Sequence, residues 1–324
     1  MMKVFRSPLG LFAGLTLLAA TTAANSQEAH TVRFGVDAYT TGSQIFVAED
    51  MGYFDDEGID AQITTFATGV EAIDALLVGR ADMAVGLDFP IVSRIQGGKL
   101  TVLAGIFHST PGFHKLVVSN DIKEPSDLVG KTLGIATGTA EHLITIKYLE
   151  ENGISPDDVE IVGFTSLMEI VASLRAGRID ASFVWADGTE RSIQGGNHYV
   201  LVDDSEAKLR GSAYIAAATP FVEANPEAAV AVLRALDSAS RYISENPDEA
   251  AAIISKNTRA PVDTVRDLLN YNEFGLALTD YEREGFAVVA EFVSQTRDAP
   301  VTFETGVDPS FLKQAAPDKV KLDD

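Results

Sequence analysis

The sequence predicts an α/β protein of two similar lobes followed by a helical C-terminal region. Short apolar segments alternate with segments of helical periodicity from Thr31 to Val202. That alternation is typical of parallel strands joined by crossover helices. The same series of elements occurs twice within this stretch, and beyond Ala218 the sequence is almost purely helical. At 324 residues the chain is long enough for two domains of ordinary size.

The two sets of elements follow one order. The first has predicted strands at 31–36, 61–66, 82–86 and 100–107 and predicted helices at 43–51, 70–78 and 90–95. The second has an extended segment at 114–119, strands at 132–136, 159–162, 180–185 and 199–202, and helices at 140–150 and 167–176. Ser166 and Glu169 form a capping box that opens the last of these helices. In the C-terminal region, Asn225-Pro226 and Asn246-Pro247 predict helix starts.

A residue-level repeat supports the duplication of one lobe. Five residues recur 98 positions further along the chain: Glu71, Leu76, Gly79, Arg80 and Asp82 reappear as Glu169, Leu174, Gly177, Arg178 and Asp180. Duplication is the simplest explanation, although any helix that ends at glycine and leads into a strand shares part of this pattern. Under either explanation Asp82 and Asp180 are predicted to be structural residues.

Composition and missing motifs exclude several classes of function. The chain has 25 basic and 47 acidic side chains, a formal charge of −22 and no cysteine. Such a charge opposes nucleic-acid binding, and the lack of thiols excludes disulfides, thiolate metal sites and cysteine nucleophiles. The sequence contains no nucleophile elbow, zinc-protease motif, phosphate-binding loop or dinucleotide fingerprint. We therefore expect no enzyme activity, no cofactor and no metal.

The first 26 residues are predicted to be a cleavable secretory signal. Lys3 and Arg6 form a positive head, residues 9–20 are apolar, and small residues follow at 21–26. The apolar stretch is short for a membrane span, although an uncleaved anchor remains the alternative. No later apolar run approaches membrane-spanning length, so we expect a periplasmic protein with no stable membrane insertion after cleavage.

Several segments in order resemble one protein family. They are FVAEDMGYF at 46–54 with EGI at 57–59, GRAD at 79–82, DLVGK at 127–131 and RIDASFVW at 178–185. Together they are similar to the substrate-binding proteins of ABC importers for sulfonates, taurine, nitrate and thiamine-precursor pyrimidines. The resemblance covers nearly the whole chain after residue 26. The absence of cysteine argues against the similar fungal enzymes of pyrimidine synthesis, which rely on a cysteine-rich motif.

The resemblance implies the type II periplasmic-binding-protein fold, with two α/β lobes joined by two crossing strands. We expect the crossings near 113–118 and 213–218, with lobe 1 at 27–113 and 215–324 and lobe 2 at 114–214. It also implies that the closed form delivers a small-molecule solute to a membrane permease, and we expect the protein to act as a monomer.

Four loops are candidates for the ligand site because binding crevices lie at the carboxyl ends of parallel strands. The predicted substrate-binding residues in these loops are Tyr39, Thr40, Thr41, Asp88, Phe89, Thr137, Gly138, Thr139, Trp185 and Asp187. Threonine hydroxyls and helix-terminal amides suit an anion, and the two large aromatic residues could form walls. Helix capping and ordinary core packing remain open as alternative roles for these side chains.

The acidic residues Asp88 and Asp187 modify this expectation. Two carboxylates facing the cleft would repel a plain anion and pair with an amino group. The sequence therefore predicts a taurine-like aminosulfonate or an alkanesulfonate first and a thiamine-precursor pyrimidine or other small nitrogenous solute second. Both residues could instead merely cap helices. A remote alternative is an exported enzyme that uses Asp88 and Asp187 as acid and base.

Overall fold

A computed structural model describes residues 1–2, 29–95, 98–294 and 300–322. Apart from its first two residues, the predicted signal segment lies outside the described residues, so signal cleavage stays a prediction. None of the helices within the described ranges is both long and apolar enough to cross a membrane.

The described residues form two β-sheets. The seven-stranded sheet contains β1 (His30–Asp37), β2 (Ile59–Phe66), β3 (Met83–Leu87), β4 (Leu100–Ser109), β10 (Gly211–Ala218), β11 (Asn272–Thr279) and β12 (Val320–Lys321). The five-stranded sheet contains β5 (Lys115–Ser119), β6 (Thr132–Ala136), β7 (Glu160–Phe164), β8 (Ala181–Val184) and β9 (His198–Asp203). These sheets are the centres of two lobes, called lobe 1 and lobe 2 below.

Both sheets share one topology. The order β2-β1-β3-β10-β4 in lobe 1 corresponds to β7-β6-β8-β5-β9 in lobe 2. In each lobe the fourth strand, β10 or β5, is antiparallel to both neighbours and directly follows a crossing from the other lobe. The two-lobed α/β architecture predicted from the sequence is confirmed.

Helices cover the sheets. In lobe 1 and on its edge the N-terminal helices are α1 (Ser43–Asp50), α2 (Tyr53–Asp56), α3 (Gly69–Leu77) and α4 (Asp88–Val92). Lobe 2 contains α5 (Ala140–Glu151), α6 (Leu167–Arg175) and α7 (Gly188–Ile193). The C-terminal helices are α8 (Thr219–Ala224), α9 (Pro226–Glu245), α10 (Pro247–Thr258), α11 (Val262–Leu269), α12 (Asp280–Ser294), α13 (Phe303–Gly306) and α14 (Ser310–Ala315).

The expectation of an almost purely helical C-terminal region is wrong at β11. This strand pairs antiparallel with β4 and extends the sheet of lobe 1. Leu276 and Leu278 are buried, while Ala277 between them is partly exposed. This alternation has the period of two that a half-buried strand requires.

The residue repeat has a structural counterpart at the start of the third strand of each lobe. The backbone N–H of Arg33 donates to Asp82 Oδ2 at 2.9 Å, and that of Thr132 donates to Asp180 Oδ2 at 2.8 Å. In return the amide of Asp82 donates to the Arg33 carbonyl, and the amide of Asp180 to the Thr132 carbonyl. The predicted structural role of both aspartates is confirmed.

The crossings lie slightly before the positions expected from the sequence. Gly211 already pairs with Ser109 in the sheet of lobe 1, ahead of the boundary predicted at residue 215. The ranges 113–118 and 213–218 therefore belong mostly to strands β5 and β10, and the connecting segments are 110–114 and 204–210. The division of the chain into domains otherwise stays a prediction.

The lobes touch each other around the cleft. Leu143 on α5 of lobe 2 packs into the apolar core of lobe 1. Phe89 on α4 contacts the ring of His142 edge-on, with 5.7 Å between centroids, and Phe292 on α12 contacts Phe89 at the same distance. These contacts hold the facing loops of both lobes close together.

Candidate ligand-binding cleft

A cavity of about 60 Å³ lies between the lobes. Lobe 1 contributes Asp37, Tyr39, Thr41, Thr68, Gly69, Val70, Leu87 and Pro90 to its lining. The first crossing and lobe 2 contribute Phe113, His114, Thr139, Ala140, Glu141 and Trp185. The volume fits a handful of water molecules or a small solute, and no lysine or arginine lines this cavity in the described part of the chain.

Strand ends and helix starts position the lining groups. Asp37 is the last residue of β1 and Leu87 the last of β3, so both stand at the carboxyl edge of the lobe 1 sheet. Helix α3 begins after Thr68, whose hydroxyl accepts the amide of Glu71 at 3.3 Å. Helix α5 begins after Thr139, whose hydroxyl instead donates to the Ala136 carbonyl at 2.9 Å. The cavity thus lies where two helix N-termini, one from each lobe, meet.

Asp37 is a buried carboxylate on the lobe 1 side. Burial raises the pKa of Asp37, and hydrogen bonds from the Thr41 hydroxyl and from the amides of Tyr39 and Thr41 offset part of that rise. Its Oδ2 atom lies 3.8 Å from the position that a Cβ atom would occupy on Gly69, the first residue of α3. Asp37 therefore places a carboxylate beside the N-terminus of α3.

Glu141 is the corresponding carboxylate on the lobe 2 side. It lies in the first turn of α5 and is 1% exposed. The Ala136 amide donates to its Oε2 at 2.6 Å, and the Thr145 hydroxyl donates to its Oε1 at 2.7 Å. Burial outweighs these hydrogen bonds and raises the pKa of Glu141 to about 7. A carboxyl in this state changes protonation near neutral pH.

Aromatic rings form the remaining wall. Tyr39 contacts Trp185 across the cleft at a centroid distance of 6.3 Å, and His114 contacts Trp185 from the crossing at 5.9 Å. Burial first, and then the charges of Asp187 and Asp37, raise the pKa of Tyr39 to about 12, so its hydroxyl stays neutral and can donate. These rings can enclose a flat or apolar part of a ligand.

His114 is fixed by the second crossing. Its Nδ1 atom lies 3.1 Å from Asp204 Oδ2, which also accepts the His114 amide at 2.9 Å. Burial alone would raise the pKa of Asp204, but hydrogen bonds from His114 and from the Gly112 amide lower it below the ordinary value. The connecting segments of both crossings are therefore joined directly beside the cavity.

The predicted binding residues occupy several different places. Tyr39, Thr41, Thr139 and Trp185 line the cavity, whereas Thr40 and Asp187 line a wider cavity of about 730 Å³ that shares Tyr39 with it. Phe89 lies in the contact between the lobes. Thr137 and Gly138 do not line the cavity: the Thr137 amide donates to the Phe164 carbonyl, and that of Gly138 to His142 Nδ1. The tenth predicted residue, Asp88, lines a neighbouring cavity.

Asp88 and Asp187 do not line this cavity, and their contact with a ligand stays a prediction. Asp187 forms an ion pair with Arg191 at 2.5 Å and is partly exposed. Asp88 is buried and lines a neighbouring cavity, where its carboxylate accepts the amides of Phe89 and Ser212. The carboxylates that line the cavity are Asp37 and Glu141. Asp37 could have been found from the sequence, since it precedes the Tyr39 loop at the same strand end.

This fold, with buried polar groups between its lobes, defines a two-lobed binding protein of the periplasmic type. The chain belongs to the family described as NMT1/THI5 like, whose profile matches residues 40–250. The family resemblance found in the sequence is thereby confirmed.

Three relatives are binding proteins. The chain is 24% identical to a putative aliphatic sulfonates-binding protein of Escherichia coli, over 64% of this chain and 65% of the relative, which is just under two thirds. It is 28% identical to the taurine-binding periplasmic protein of Escherichia coli, over 72% and 73% of the two chains. It is 25% identical to the formylaminopyrimidine-binding protein of Halalkalibacterium halodurans, over 79% and 80%. All three relatives are thus named as binding proteins and none as an enzyme, in agreement with the expectation from the sequence.

A solved structure has the same fold. The alkanesulfonate-binding protein SsuA from Xanthomonas axonopodis pv. citri, bound to MOPS, superposes with a TM-score of 0.73 at 18% identity. The match covers 87% of this chain and 99% of SsuA.

Proposed function

We propose that the protein is the solute-binding component of an ABC importer and captures a small solute that carries an ammonium group or several N–H donors. The observation that carries this proposal is the pair of buried carboxyl groups, Asp37 and Glu141, in a cavity that no lysine or arginine of the described residues lines. The bound solute would hold the lobes together, and the closed form would deliver it to a membrane permease.

Electrostatics favours a donor over a plain anion. A buried carboxylate without a cation is costly, which is why burial raises the pKa of both residues. A ligand ammonium or amino group would supply the missing hydrogen bonds to the ionised form. A sulfonate without an amine would instead bring a third negative charge to the same small cavity.

The surroundings of the helix N-termini also favour a ligand with N–H donors over an anion. The first-turn amides of α3 and α5 would ordinarily attract a ligand anion. Asp37 already lies beside the start of α3, and Glu141 already lies in the first turn of α5. Because the protein's own carboxylates occupy these positions, we rank an aminopyrimidine ahead of the aminosulfonate favoured by the sequence. The rings of Tyr39 and Trp185 suit a flat heterocycle.

A taurine-like aminosulfonate is the second candidate. The identity with the taurine-binding protein of Escherichia coli favours it, and its amine would pair with the same carboxylates. Its sulfonate would require donors such as the Thr41 hydroxyl, which also lines the cavity. An alkanesulfonate without an amine is the least favoured of the three solutes.

Location and transport partner follow from the same proposal. The sequence of residues 1–26 favours export to the periplasm, where the protein would meet its permease as a monomer. The surface of this acidic chain would then contact basic loops of the permease.

Calorimetric titration with four solutes tests the proposal. The solutes are an aminopyrimidine, taurine, ethanesulfonate and nitrate. We expect the two that carry an amino group to bind at least about tenfold more tightly than ethanesulfonate, since a charge-assisted hydrogen bond contributes about 1.5 to 3 kcal/mol. Ethanesulfonate binding as tightly as taurine would contradict the role given to the carboxylates.

Trp185 should report binding directly. It is the single tryptophan of the chain, it lines the cavity, and it is 8% exposed. A ligand that displaces water beside this ring should change the intrinsic tryptophan fluorescence in a saturable way. Titration with the tightest solute from calorimetry would measure the change. Saturable binding in calorimetry without any change in tryptophan emission would show that the solute binds outside this cavity.

A further inference from the structure

A second cavity of about 60 Å³ lies directly behind the first. The two cavities share Leu87, His114 and Ala140 in their linings. The shared residues form the partition between the two cavities. Asp204, which lines the second cavity, holds the His114 ring through a hydrogen bond. The second cavity is therefore an extension of the interlobe cleft towards the crossings and not a separate surface feature.

Asp88 provides an acceptor in this second cavity. It is 6% exposed and lines the cavity together with Asp204 and Ser109. Each of its oxygens accepts one backbone amide, that of Phe89 at 2.6 Å and that of Ser212 at 3.5 Å, so the second bond is at the limit of a hydrogen bond. A carboxylate oxygen can accept two hydrogen bonds, and the lining of this cavity contains no lysine or arginine among the described residues.

The surroundings of Asp88 match those of the carboxylates in the first cavity. Burial, only partly offset by amides that include those of Phe89 and Ser212, raises its pKa to about 7. Leu143 and Ile144 of α5 and Leu209 of the second crossing contribute apolar side chains to the lining. The cavity thus combines an apolar shell with one acceptor that lacks a cationic partner.

We propose that this second cavity is a subsite of the cleft in which Asp88 accepts a second N–H donor or ammonium group of the same ligand. The subsite rests on the proposed function, because the rest of the ligand would occupy the first cavity. The ligand class is then narrowed to small solutes with nitrogen donors at both ends, one for Glu141 and Asp37 and one for Asp88. A solute with a donor at one end alone would leave Asp88 with only its two backbone-amide donors.

A matched pair of ligands tests the subsite in the full-length protein. The probes are 4-amino-2,5-dimethylpyrimidine and 4-amino-5-aminomethyl-2-methylpyrimidine, which differ by one amine. We expect wild-type protein to bind the compound with two amino groups at least about tenfold more tightly. In the Asp88→Asn variant this preference should fall to about threefold or less, because the carboxamide no longer provides a negative acceptor.

Further variants make the result specific. Ser109→Leu should reduce the preference by filling the second cavity with apolar volume. Glu141→Gln should weaken both compounds, whereas Asp56→Asn, at an exposed position on α2, should leave the preference as in wild type. Equal affinity of wild type for the two compounds, or an unchanged preference in Asp88→Asn, overturns the subsite but not the first cavity. If wild type binds neither compound, the aminopyrimidine assignment and the subsite both fail.

Discussion

The Glu141→Gln variant is expected to bind its nitrogenous solute about ten- to a hundredfold more weakly than wild type. Glutamine preserves the shape of the side chain. The oxygen of its side-chain amide can accept the Ala136 backbone N–H, and the NH2 group of that amide can donate to the Thr145 hydroxyl. Glu141 contacts both of these partners in the wild-type structure. The variant therefore loses the negative charge while the start of α5 keeps its hydrogen bonds. Calorimetry at pH 8, where wild-type Glu141 is ionised, would measure the loss of affinity.

Glu169→Gln is the matched control for this variant. Glu169 also lies in the first turn of a lobe 2 helix, α6, but it is exposed and does not line the cavity. The Glu169→Gln variant should bind the solute like wild type.

The affinity of wild type for an ammonium ligand should also decrease below about pH 7, because Glu141 must lose its proton to pair with the cation. Unchanged binding by Glu141→Gln would mean that this carboxyl does not contact the ligand.

The ligand-free protein is expected to lose stability as the pH rises from about 4 to about 7, through Asp88 and Glu141. Burial raises the pKa of both groups to about 7, above the ordinary values of 3.8 and 4.5 that apply in the unfolded chain. Between these values the folded protein holds more protons than the unfolded chain, so the free energy of unfolding decreases with increasing pH. The decrease is complete above pH 7 and is on the order of 3 kcal/mol for each group.

The variants Asp88→Asn and Glu141→Gln isolate this contribution. Urea unfolding at about pH 5 and 7.5 should give each variant a free energy of unfolding that exceeds that of wild type by a small amount at the lower pH and by a larger amount at the upper pH. His142 and His198, whose pKa burial lowers, give the opposite slope, but they are present in every protein compared and cancel in the difference. A difference that is the same at both pH values would mean that the two carboxyls ionise as ordinary surface groups do.

The local pattern of the sequence was sufficient for most of the elements. Predicted helix 140–150 corresponds to α5 at Ala140–Glu151, and predicted strand 132–136 to β6 at Thr132–Ala136. The repeat correctly marked Asp82 and Asp180 as structural, because a short-range pattern of glycine and aspartate is enough to fix a strand start. Strand β11 was missed because only Leu276 and Leu278 of its eight residues are buried, which leaves a weak alternation between two helical segments.

The candidate site was predicted less completely. The strand-end rule found Tyr39, Thr41, Thr139 and Trp185, which do line the cavity. It also selected Asp88 and Asp187, whose backbone positions are next to the cleft but whose side chains turn to other partners. Strand-end position fixes where a backbone lies, whereas rotamers and neighbouring donors fix where a carboxylate points.

By itself the sequence indicated the alternation of strands and helices in two lobes and the edge of each sheet at which a ligand would bind, because hydrophobic period and capping residues act over a few positions. Its resemblance to known binding proteins indicated the family. Only the tertiary structure decided which acidic groups share a cavity. Asp37 and Glu141 are 104 positions apart and belong to different lobes. Their meeting depends on how the crossings bring the two sheets together, and such long-range packing leaves no periodic signal in the chain.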